Sequence, residues 1–149
     1  MFSKTAEYAI RATIYIAQKS APDHKLGIEE IARAIDSPAS FTAKILQMLT
    51  RGQELICSVR GPNGGFYMTS EALQLPLLKV LELIKEDDQL HKCVLGLQEC
   101  SEVNPCPLHH RYKKIKPEML RMFEGMTIGQ LAAETRRGVV FIGNRGRKK

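Results

Sequence analysis

Tryptophan is absent from this sequence of 149 residues, and aromatic residues make up only 6% of it. Long uncharged runs are also missing, because Lys79, Glu82 and Lys85 interrupt the most apolar stretch, LPLLKVLELIK. A helix that spans a bilayer needs about 18 or more apolar residues, so none is predicted. Glu7 and Arg11 interrupt the N-terminal segment in the same way, where a signal peptide needs an uncharged centre. We therefore expect a cytoplasmic protein without a membrane partner.

Acidic residues are absent from the C-terminal segment 136–149, the basic tail. The formal net charge of the protein is +6, and the residues before the tail carry equal numbers of basic and acidic side chains. Positive charge favours nucleic-acid binding only where it is concentrated. Two interpretations of the tail stay open, a solvated terminus or an arm that contacts phosphates. Its basic residues are Arg136, Arg137, Arg145, Arg147, Lys148 and Lys149.

Hydrophobic residues make up 44% of the chain, which is sufficient for one compact domain, or for one domain with a protruding element. Apolar residues recur three and four positions apart over residues 3–19 and predict a first helix, with Ser3 as its cap. A second helix is predicted over IEEIARAI, residues 28–35. Ser37 as cap and Pro38 in the first turn predict a third helix, which ends near Gly52. The third helix is predicted to bury Phe41, Ile45, Met48 and Leu49.

Two short helices joined by a tight turn form a helix-turn-helix, which also occurs in many proteins for purely structural reasons. The next segment strengthens the DNA-binding interpretation, because ELICSV and FYMT predict strands and RGPNGG between them predicts a turn. A hairpin directly after the third helix predicts a winged helix. The predicted fold class is mainly α with a small β-hairpin wing.

The face of the third helix outside its predicted core is either solvated or in contact with DNA. Small residues let a helix lie deep in a major groove about 12 Å wide, where hydroxyl groups bond bases and lysine bonds phosphates. The predicted wing begins its turn with an arginine, a residue that enters minor grooves. The wing favours the DNA interpretation, and the predicted contact residues are Ser40, Thr42, Lys44 and Arg60.

The segment SVRGPNGGFYMT resembles the wing of the Rrf2 family of bacterial transcription regulators, which has IscR-like and NsrR-like members. The resemblance extends from KTAEYAIRATIYIA near the N-terminus to MTIGQLAAE near residue 134, and it leaves out only the basic tail. It implies a homodimeric winged-helix regulator. It also implies an iron–sulfur cluster held by three cysteines in a loop after the wing.

Three of the four cysteines, Cys93, Cys100 and Cys106, are crowded into the segment CVLGLQECSEVNPCPLHH. In a reducing cytoplasm, clustered cysteines indicate metal binding or redox chemistry more often than a disulfide. Their wide spacing matches neither the close pairs of structural zinc sites nor the short gaps of two-cluster ferredoxins. Three thiolates leave one ligand to be supplied, and His109 lies one helical turn beyond Cys106.

The resemblance supports His109 as the fourth ligand, because IscR-like proteins carry a Cys-Pro pair and a histidine at this spacing. It also gives an alternative, since NsrR-like proteins use an acidic residue at the position of Glu7 to ligate the cluster of the partner subunit. Ligation by His109 implies a 2Fe-2S cluster, which is the preferred cofactor, whereas ligation by Glu7 makes a 4Fe-4S cluster possible. The first two cysteines are one residue further apart than in IscR-like proteins.

After the cysteine loop, apolar residues recur with alternating gaps of four and three residues. This pattern is typical of a helix that pairs with a copy of itself, although packing within the same subunit is the alternative. Pro117 predicts a kink or a restart in this helix. A two-fold dimer would present two recognition helices to a near-palindromic operator in double-stranded DNA. The predicted seam is Leu108, Tyr112, Ile115, Met119 and Met122.

The predicted organisation is a winged helix-turn-helix DNA-binding domain at 1–85, a cluster-binding loop at 86–110, a dimerisation helix region at 107–135 and the basic tail. The predicted function is a DNA-binding transcriptional regulator that senses redox, iron–sulfur or nitric oxide status through its cluster. A cluster-free thiol-redox or zinc-binding regulator of the same fold is the alternative. No catalytic spacing is readable in the sequence, so an enzyme is not expected.

Overall fold

The computed structural model describes residues 2–136 and 142–143, with Arg136 described by its backbone alone, so most of the basic tail lies outside the described residues. Within them the chain forms helices and one antiparallel hairpin, which confirms the predicted fold class. Short 3-10 turns lie at Arg51–Gln53, Ala72–Gln74 and Asp87–Leu90. The helices and strands are α1 Lys4–Lys19, α2 Ile28–Ala34, α3 Ala39–Leu49, β1 Cys57–Val59, β2 Gly65–Tyr67, α4 Leu78–Leu83, α5 His109–Gly125 and α6 Ile128–Arg136.

Helix α1 lies in the core and packs against α2, α3, α4 and α6. Its start is as predicted, because the Ser3 hydroxyl oxygen accepts a hydrogen bond from the N–H of Ala6 at 3.0 Å. Small residues form much of its buried face and allow neighbouring helices to approach closely. The buried hydroxyl of Thr13 donates to the Ala9 carbonyl at 2.8 Å, so this polar group is satisfied within the helix.

Helices α2 and α3 pack together as the predicted helix-turn-helix. Asp36 in the turn between them has a positive φ of 56°. The guanidinium group of Arg11, on α1, donates to the carbonyl of Ile35 at 3.2 Å. The Arg11 side chain of α1 therefore stabilises the turn that orients α3. The buried aliphatic residues of this pair include Ile31, Ile35, Ile45, Leu46 and Leu49.

The start and the buried face of α3 differ from the prediction. Pro38 occupies the N-cap position, and the Ser37 hydroxyl lies 3.4 Å from the Pro38 carbonyl oxygen instead of capping the helix. Phe41 and Met48, which were predicted to be buried, are half-buried. The core face of α3 includes Leu46 and Thr42 beside the predicted Ile45 and Leu49, since residues three or four apart share a face of a helix.

Strands β1 and β2 form the predicted wing, with Ser58 opposite Phe66 in the register. Leu26, in the segment before α2, adds an antiparallel bridge to Phe66 through hydrogen bonds of 2.8 and 2.9 Å. The wing is therefore attached to the helix-turn-helix by the backbone. A Cβ atom at Gly64 would overlap the carbonyl oxygen of Val59, so the turn of the wing requires glycine at this position.

The junction between α5 and α6 is bonded to the segment that precedes α4. The N–H of Leu77 donates to the Met126 carbonyl at 2.9 Å, and the N–H of Ile128 donates to the Leu75 carbonyl at 3.0 Å. Helix α6 then packs on α1 and completes the core. None of the described helices combines the length and the apolar composition that crossing a membrane requires.

Pro117 lies inside α5, which is a single helix of 17 residues from His109 to Gly125. The helix therefore does not restart at Pro117, and the other predicted outcome, a kink at this residue, stays a prediction. Proline removes one backbone donor from a helix, but this residue is exposed, so water can bond the carbonyl that loses its partner. One helix consequently connects the end of the cysteine loop to the junction with α6.

Candidate DNA-binding face and cysteine loop

The exposed face of α3 carries Ser40, Lys44 and Gln47, with the half-buried Ala43 between them. These positions are three and four residues apart and therefore lie on one side of the helix. They present a hydroxyl, an ammonium and an amide group, while the opposite side of α3 is buried in the core. These groups can bond both base edges and phosphates. Gln47 was left out of the predicted contacts, although its spacing from Lys44 and Ser40 could have identified it.

Thr42 does not lie on this exposed face, which corrects its prediction as a DNA contact. The side chain is 0% exposed, and its hydroxyl donates to the Pro38 carbonyl at 2.9 Å. A threonine can be buried in a helix when its hydroxyl bonds the carbonyl four residues earlier. Thr42 therefore belongs to the core that supports α3.

Arg60 is exposed at the tip of the wing, directly after β1. Gly61 follows it with a φ of 108°, a conformation that side chains disfavour, so the backbone turns immediately after the arginine. At the base of the wing, the Lys25 ammonium lies 5.5 Å from the centroid of the Tyr67 ring. The wing therefore presents positive charge at its tip and near its base.

The cysteine loop, residues 91–108, has no helix or strand and contains the three predicted thiolate ligands. Cys93 is 6% exposed, whereas Cys100 and Cys106 are half-buried, and all three are free thiols. In the part of the chain that the structure describes, no three Cys, His, Asp or Glu side chains lie close enough to hold a metal ion. The structure instead brings Cys100 to His109, and Cys106 is near enough to Cys93 to influence the pKa of its thiol.

The pKa of the Cys93 thiol is below its ordinary value, and the largest cause is hydrogen bonding from the Leu95 backbone. Burial of the thiol acts in the opposite direction and raises its pKa. Hydrogen bonds from Cys106 and from the Leu97 backbone, together with the charge of Lys116, lower the pKa further. A lowered pKa favours the thiolate, which is the form that binds metals and reacts with oxidants.

His109 is the first residue of α5 and is 3% exposed. Its backbone N–H donates to the Cys106 carbonyl at 3.0 Å, and its Nδ1 atom lies 3.4 Å from the Cys100 Sγ atom. Its Nε2 atom is buried and makes no hydrogen bond within the described residues. Buried polar atoms in native proteins nearly always have a partner, so this nitrogen marks a place where a ligand would be stabilised.

Glu7, the alternative fourth ligand, lies in the first turn of α1 and pairs with Lys4 at 3.1 Å. The described residues do not place it with the cysteines in a metal-binding group. The N-terminus does lie near the loop, because Phe2 and Cys93 line one pocket of about 140 Å³ together with Tyr112. Ligation by Glu7 stays a prediction, and the resemblance places it at the cluster of a second subunit.

The predicted seam of α5 divides into two faces. Tyr112 is buried and Met119 is packed against the core, so these two residues belong to their own subunit. Leu108, Ile115 and Met122 are 40%, 53% and 50% exposed and are spaced seven residues apart, which places them in one stripe along the helix. Val94 of the cysteine loop extends this apolar surface, because it lines one pocket together with Leu108 and Ile115, and the seam prediction missed it. Leu95 and Leu97 of the loop are also exposed.

The order of helix-turn-helix, wing and long C-terminal helix defines a winged-helix transcription regulator. A model of the Rrf2 family, described as an iron-dependent transcriptional regulator, matches residues 2–134. The chain therefore belongs to the Rrf2 family, whose members are regulators of transcription and not enzymes.

Individual relatives agree with this assignment. An HTH-type transcriptional regulator of Aquifex aeolicus is 33% identical over 133 residues, which cover 88% of this chain and 90% of the relative. The regulator NsrR of Oceanobacillus iheyensis is 28% identical over 130 residues, or 86% of each chain. The structure of CymR, the global cysteine regulator of B. subtilis, has a TM-score of 0.71 at 16% identity and covers 90% of this chain and 97% of CymR, which shows the shared fold.

Proposed function

We propose that this protein is a homodimeric transcriptional regulator whose affinity for DNA responds to an iron–sulfur cluster bound by Cys93, Cys100, Cys106 and His109. The observation that carries the proposal is the buried imidazole of His109, which lies beside Cys100 and has a ring nitrogen without a partner in the described residues. An unsatisfied buried polar group costs about 1–3 kcal/mol, which a metal–ligand bond would remove. The description of the matching family as iron-dependent supports the same proposal.

The donor set suits such a cluster chemically, because thiolates are its usual ligands and imidazole replaces thiolate in some clusters. Bringing the three thiols and His109 into one site requires the loop at 91–108 to rearrange, and this segment has no helix or strand to resist the change. Gly96 has a φ of 79°, which gives the loop a bend that glycine adopts at little cost. A bound cluster would supply one-electron redox chemistry. We prefer 2Fe-2S with His109, and 4Fe-4S with Glu7 of the partner subunit is the alternative.

For DNA, we propose that α3 lies in a major groove with Ser40, Lys44 and Gln47 in contact, and that Arg60 of the wing enters the adjacent minor groove. The exposure of all four side chains supports this arrangement. The arginine and lysine would supply phosphate or minor-groove contacts, whereas the hydroxyl and amide groups are suited to base edges.

For assembly, we propose that the stripe of Leu108, Ile115 and Met122 pairs with the same stripe of a second subunit. A contiguous exposed apolar surface favours burial against a partner, and a stripe with a repeat of seven residues is complementary to its own copy. The two recognition helices of the dimer would then contact half-sites about one helical turn apart, or a multiple of this distance, in a near-palindromic operator.

Continuous backbone contacts join the two proposed sites. His109 begins α5, and the end of α5 is bonded to Leu75 and Leu77 through Met126 and Ile128. This segment follows the wing in the chain after the 3-10 turn Ala72–Gln74. In the proposed organisation residues 1–85 bind DNA, residues 86–110 hold the cluster and residues 107–135 pair the subunits. A change in the loop would thereby bias the position of the DNA-binding domain.

The test of the proposal is the composition of protein purified without oxygen. We expect visible absorption, together with iron and acid-labile sulfide in equal amounts and about one cluster per subunit. The triple variant Cys93→Ser, Cys100→Ser, Cys106→Ser is expected to be colourless and folded. The variant Cys57→Ser, which changes the one cysteine outside the loop, serves as the matched control and should keep the cluster. Colourless wild-type protein that contains zinc would reject the cluster.

A cluster-free thiol regulator is the second candidate, because the neighbouring Cys106 thiol contributes to the lowered pKa of the Cys93 thiol. A thiol with a lowered pKa beside another thiol is the arrangement from which an oxidant forms a disulfide. In this function a peroxide would accept the two electrons that the thiols lose, and water would be the leaving group. Mass spectrometry after peroxide treatment distinguishes the candidates, since a Cys93–Cys106 disulfide is expected only here.

A further inference from the structure

The side chain of Gln53 lies between the C-terminal end of α3 and the first strand of the wing. Its Nε2 atom donates to the Thr50 carbonyl at 3.0 Å and to the Ser58 hydroxyl at 3.3 Å. Its Oε1 atom accepts a hydrogen bond from the Ser58 N–H at 2.8 Å. Thr50 is the C-cap residue of α3, and Ser58 is the middle residue of β1. One exposed amide group therefore connects α3 to the wing.

The wing is attached to the rest of the domain at both of its edges. At the edge of β2, Phe66 and Leu26 exchange backbone hydrogen bonds of 2.8 and 2.9 Å. Because both backbone groups of Phe66 bond Leu26, its register partner Ser58 directs its N–H away from β2. The Gln53 side chain accepts the hydrogen bond of this N–H. The attachment at β2 is made by the backbone, whereas the attachment at β1 depends on the identity of one side chain.

The backbone of Gln53 adopts a conformation that is uncommon for a residue with a side chain. Its φ is 54°, and Gly52 before it has a φ of 75°. A residue other than glycine keeps a positive φ only where the surrounding structure holds it. The Gln53 N–H donates to the Thr50 carbonyl at 2.9 Å, so the backbone and the side chain of Gln53 both bond the end of α3. These contacts fix the amide group in its place against β1.

The strand that Gln53 bonds leaves the core at this point. Leu55 and Ile56, which precede the wing, are 0% exposed. Every side chain from Ser58 to Arg60 is exposed, so the core does not hold this part of β1. Two residues of extended strand span about 7 Å, which places the Gln53 contact close to Arg60. The amide of Gln53 therefore supports the wing on the side that leads to its arginine.

We infer that Gln53 is a positioning residue for DNA binding, which holds the wing at a fixed angle to α3 so that Arg60 and α3 reach their two grooves together. The inference rests on the proposed function and adds the residue that joins its two DNA contacts. Contacts that are already arranged for the partner bind more tightly than contacts that must first be ordered, because less entropy is lost on binding. Gln53 acts through Arg60 and is itself not a DNA contact.

Gln53→Met tests the inference, since it removes the hydrogen-bonding groups and keeps an unbranched side chain of similar length. The Thr50 carbonyl retains the Gln53 N–H as a partner, and the exposed Ser58 N–H can bond water instead. The fold is therefore expected to be kept, which thermal unfolding checks. Gln74→Met is the matched control, because Gln74 is an exposed glutamine in the 3-10 turn after the wing.

The experiment measures the Kd of the full chain for a duplex selected in vitro by the wild-type protein. Gln53→Met is expected to raise this Kd by at least about fivefold, whereas Gln74→Met should leave it unchanged. In an Arg60→Ala protein the wing contact is already lost, so adding Gln53→Met should change the Kd by less than about twofold. In a Lys44→Ala protein the wing contact is retained, and adding Gln53→Met should again raise the Kd by at least about fivefold.

The comparison of backgrounds separates positioning from a general structural role. If Gln53→Met raises the Kd by the same factor with and without Arg60, the substitution disturbs the whole domain and the inference is overturned. A change of less than about twofold in the otherwise wild-type protein also overturns it.

Failure of the proposed function gives a different result. Wild-type protein that prefers no duplex would reject sequence-specific DNA binding, and an Arg60→Ala protein of full affinity would reject the wing contact. Either result would reject the inference as well, and both are measured on proteins in which Gln53 is intact. Weakening by Arg60→Ala without weakening by Gln53→Met would reject the positioning role alone.

Discussion

The Nδ1 atom of His109 lies 3.4 Å from the Sγ atom of Cys100. This contact joins the first turn of the long helix α5 to the middle of the cysteine loop. Because α5 also carries the exposed apolar stripe and ends at the junction bonded to Leu75 and Leu77, a change at His109 has a direct structural connection to both the proposed dimer surface and the proposed DNA-binding domain.

Replacing His109 by alanine tests the fourth ligand. Loss of one ligand is expected to reduce iron affinity by at least about tenfold and to change the visible spectrum of the anaerobic protein. His110→Ala is the matched control, since His110 is the exposed neighbour and should leave the spectrum unchanged. A spectrum that responds to Glu7→Ala and not to His109→Ala would assign the fourth ligand to Glu7 and favour the 4Fe-4S alternative.

Replacing Ile115 by aspartate tests the dimer surface. An aspartate in the middle of the apolar stripe would bury a charge at the proposed interface, so the dimer should dissociate at least tenfold more readily. Sedimentation equilibrium measures this change. Lys114→Asp, on the adjacent exposed position, also introduces an acidic side chain and should leave the dimer intact. A dimer of unchanged stability in the Ile115→Asp protein would mean that α5 pairs through another face or not at all.

Replacing Gln47 and Lys44 separately tests the recognition face. Gln47→Ala is expected to reduce discrimination at one base pair by about 1–3 kcal/mol, because an amide bonds base edges. Lys44→Ala should weaken all duplexes alike and lower the salt slope by about 0.9. Competition binding against a set of single-base operator variants measures both effects. If Gln47→Ala weakens every sequence equally, the amide does not contact a base.

Replacing Gly64 by alanine tests the wing. The added methyl group would overlap the Val59 carbonyl, and relief of such a clash costs about 1–3 kcal/mol of folding stability. Chemical denaturation measures this loss, with Gly125→Ala as a control that is expected to be neutral. Operator affinity should also fall, since the displaced hairpin carries Arg60. Full affinity in a destabilised Gly64→Ala protein would exclude the wing from DNA contact.

The sequence was sufficient to predict α1, α2, α3, the helix after the cysteine loop and the wing, because their signals are local, whereas α4 and α6 were not predicted. Ser3 caps α1 as its position indicates, and the glycine-rich turn lies between two strands as predicted. The orientation of α3 was harder to predict, since apolar residues surround it on several sides. Thr42 was assigned to DNA because its hydroxyl is polar, but that hydroxyl is satisfied inside the helix by the Pro38 carbonyl.

The arrangement of the loop was beyond prediction from sequence, because no periodic hydrogen bonding fixes its backbone. The positions of Cys93, Cys100 and Cys106 along the chain do not indicate which sulfurs approach each other. The division of the α5 seam into a buried face and an exposed face could not be predicted for a related reason. Tyr112 and Met119 share the spacing of the exposed residues, and only the packing of the core shows that they face inward.

The most direct test of the account compares the operator affinity of one preparation before and after removal of its cluster. The affinity of the two forms should differ by about 5-fold to 150-fold, the usual range for coupling between two sites in a protein. The Cys93→Ser protein should have the affinity of the cluster-free form under both conditions. Equal affinities, measured on a wild-type preparation that carries the cluster, would contradict the claim that the loop controls DNA binding.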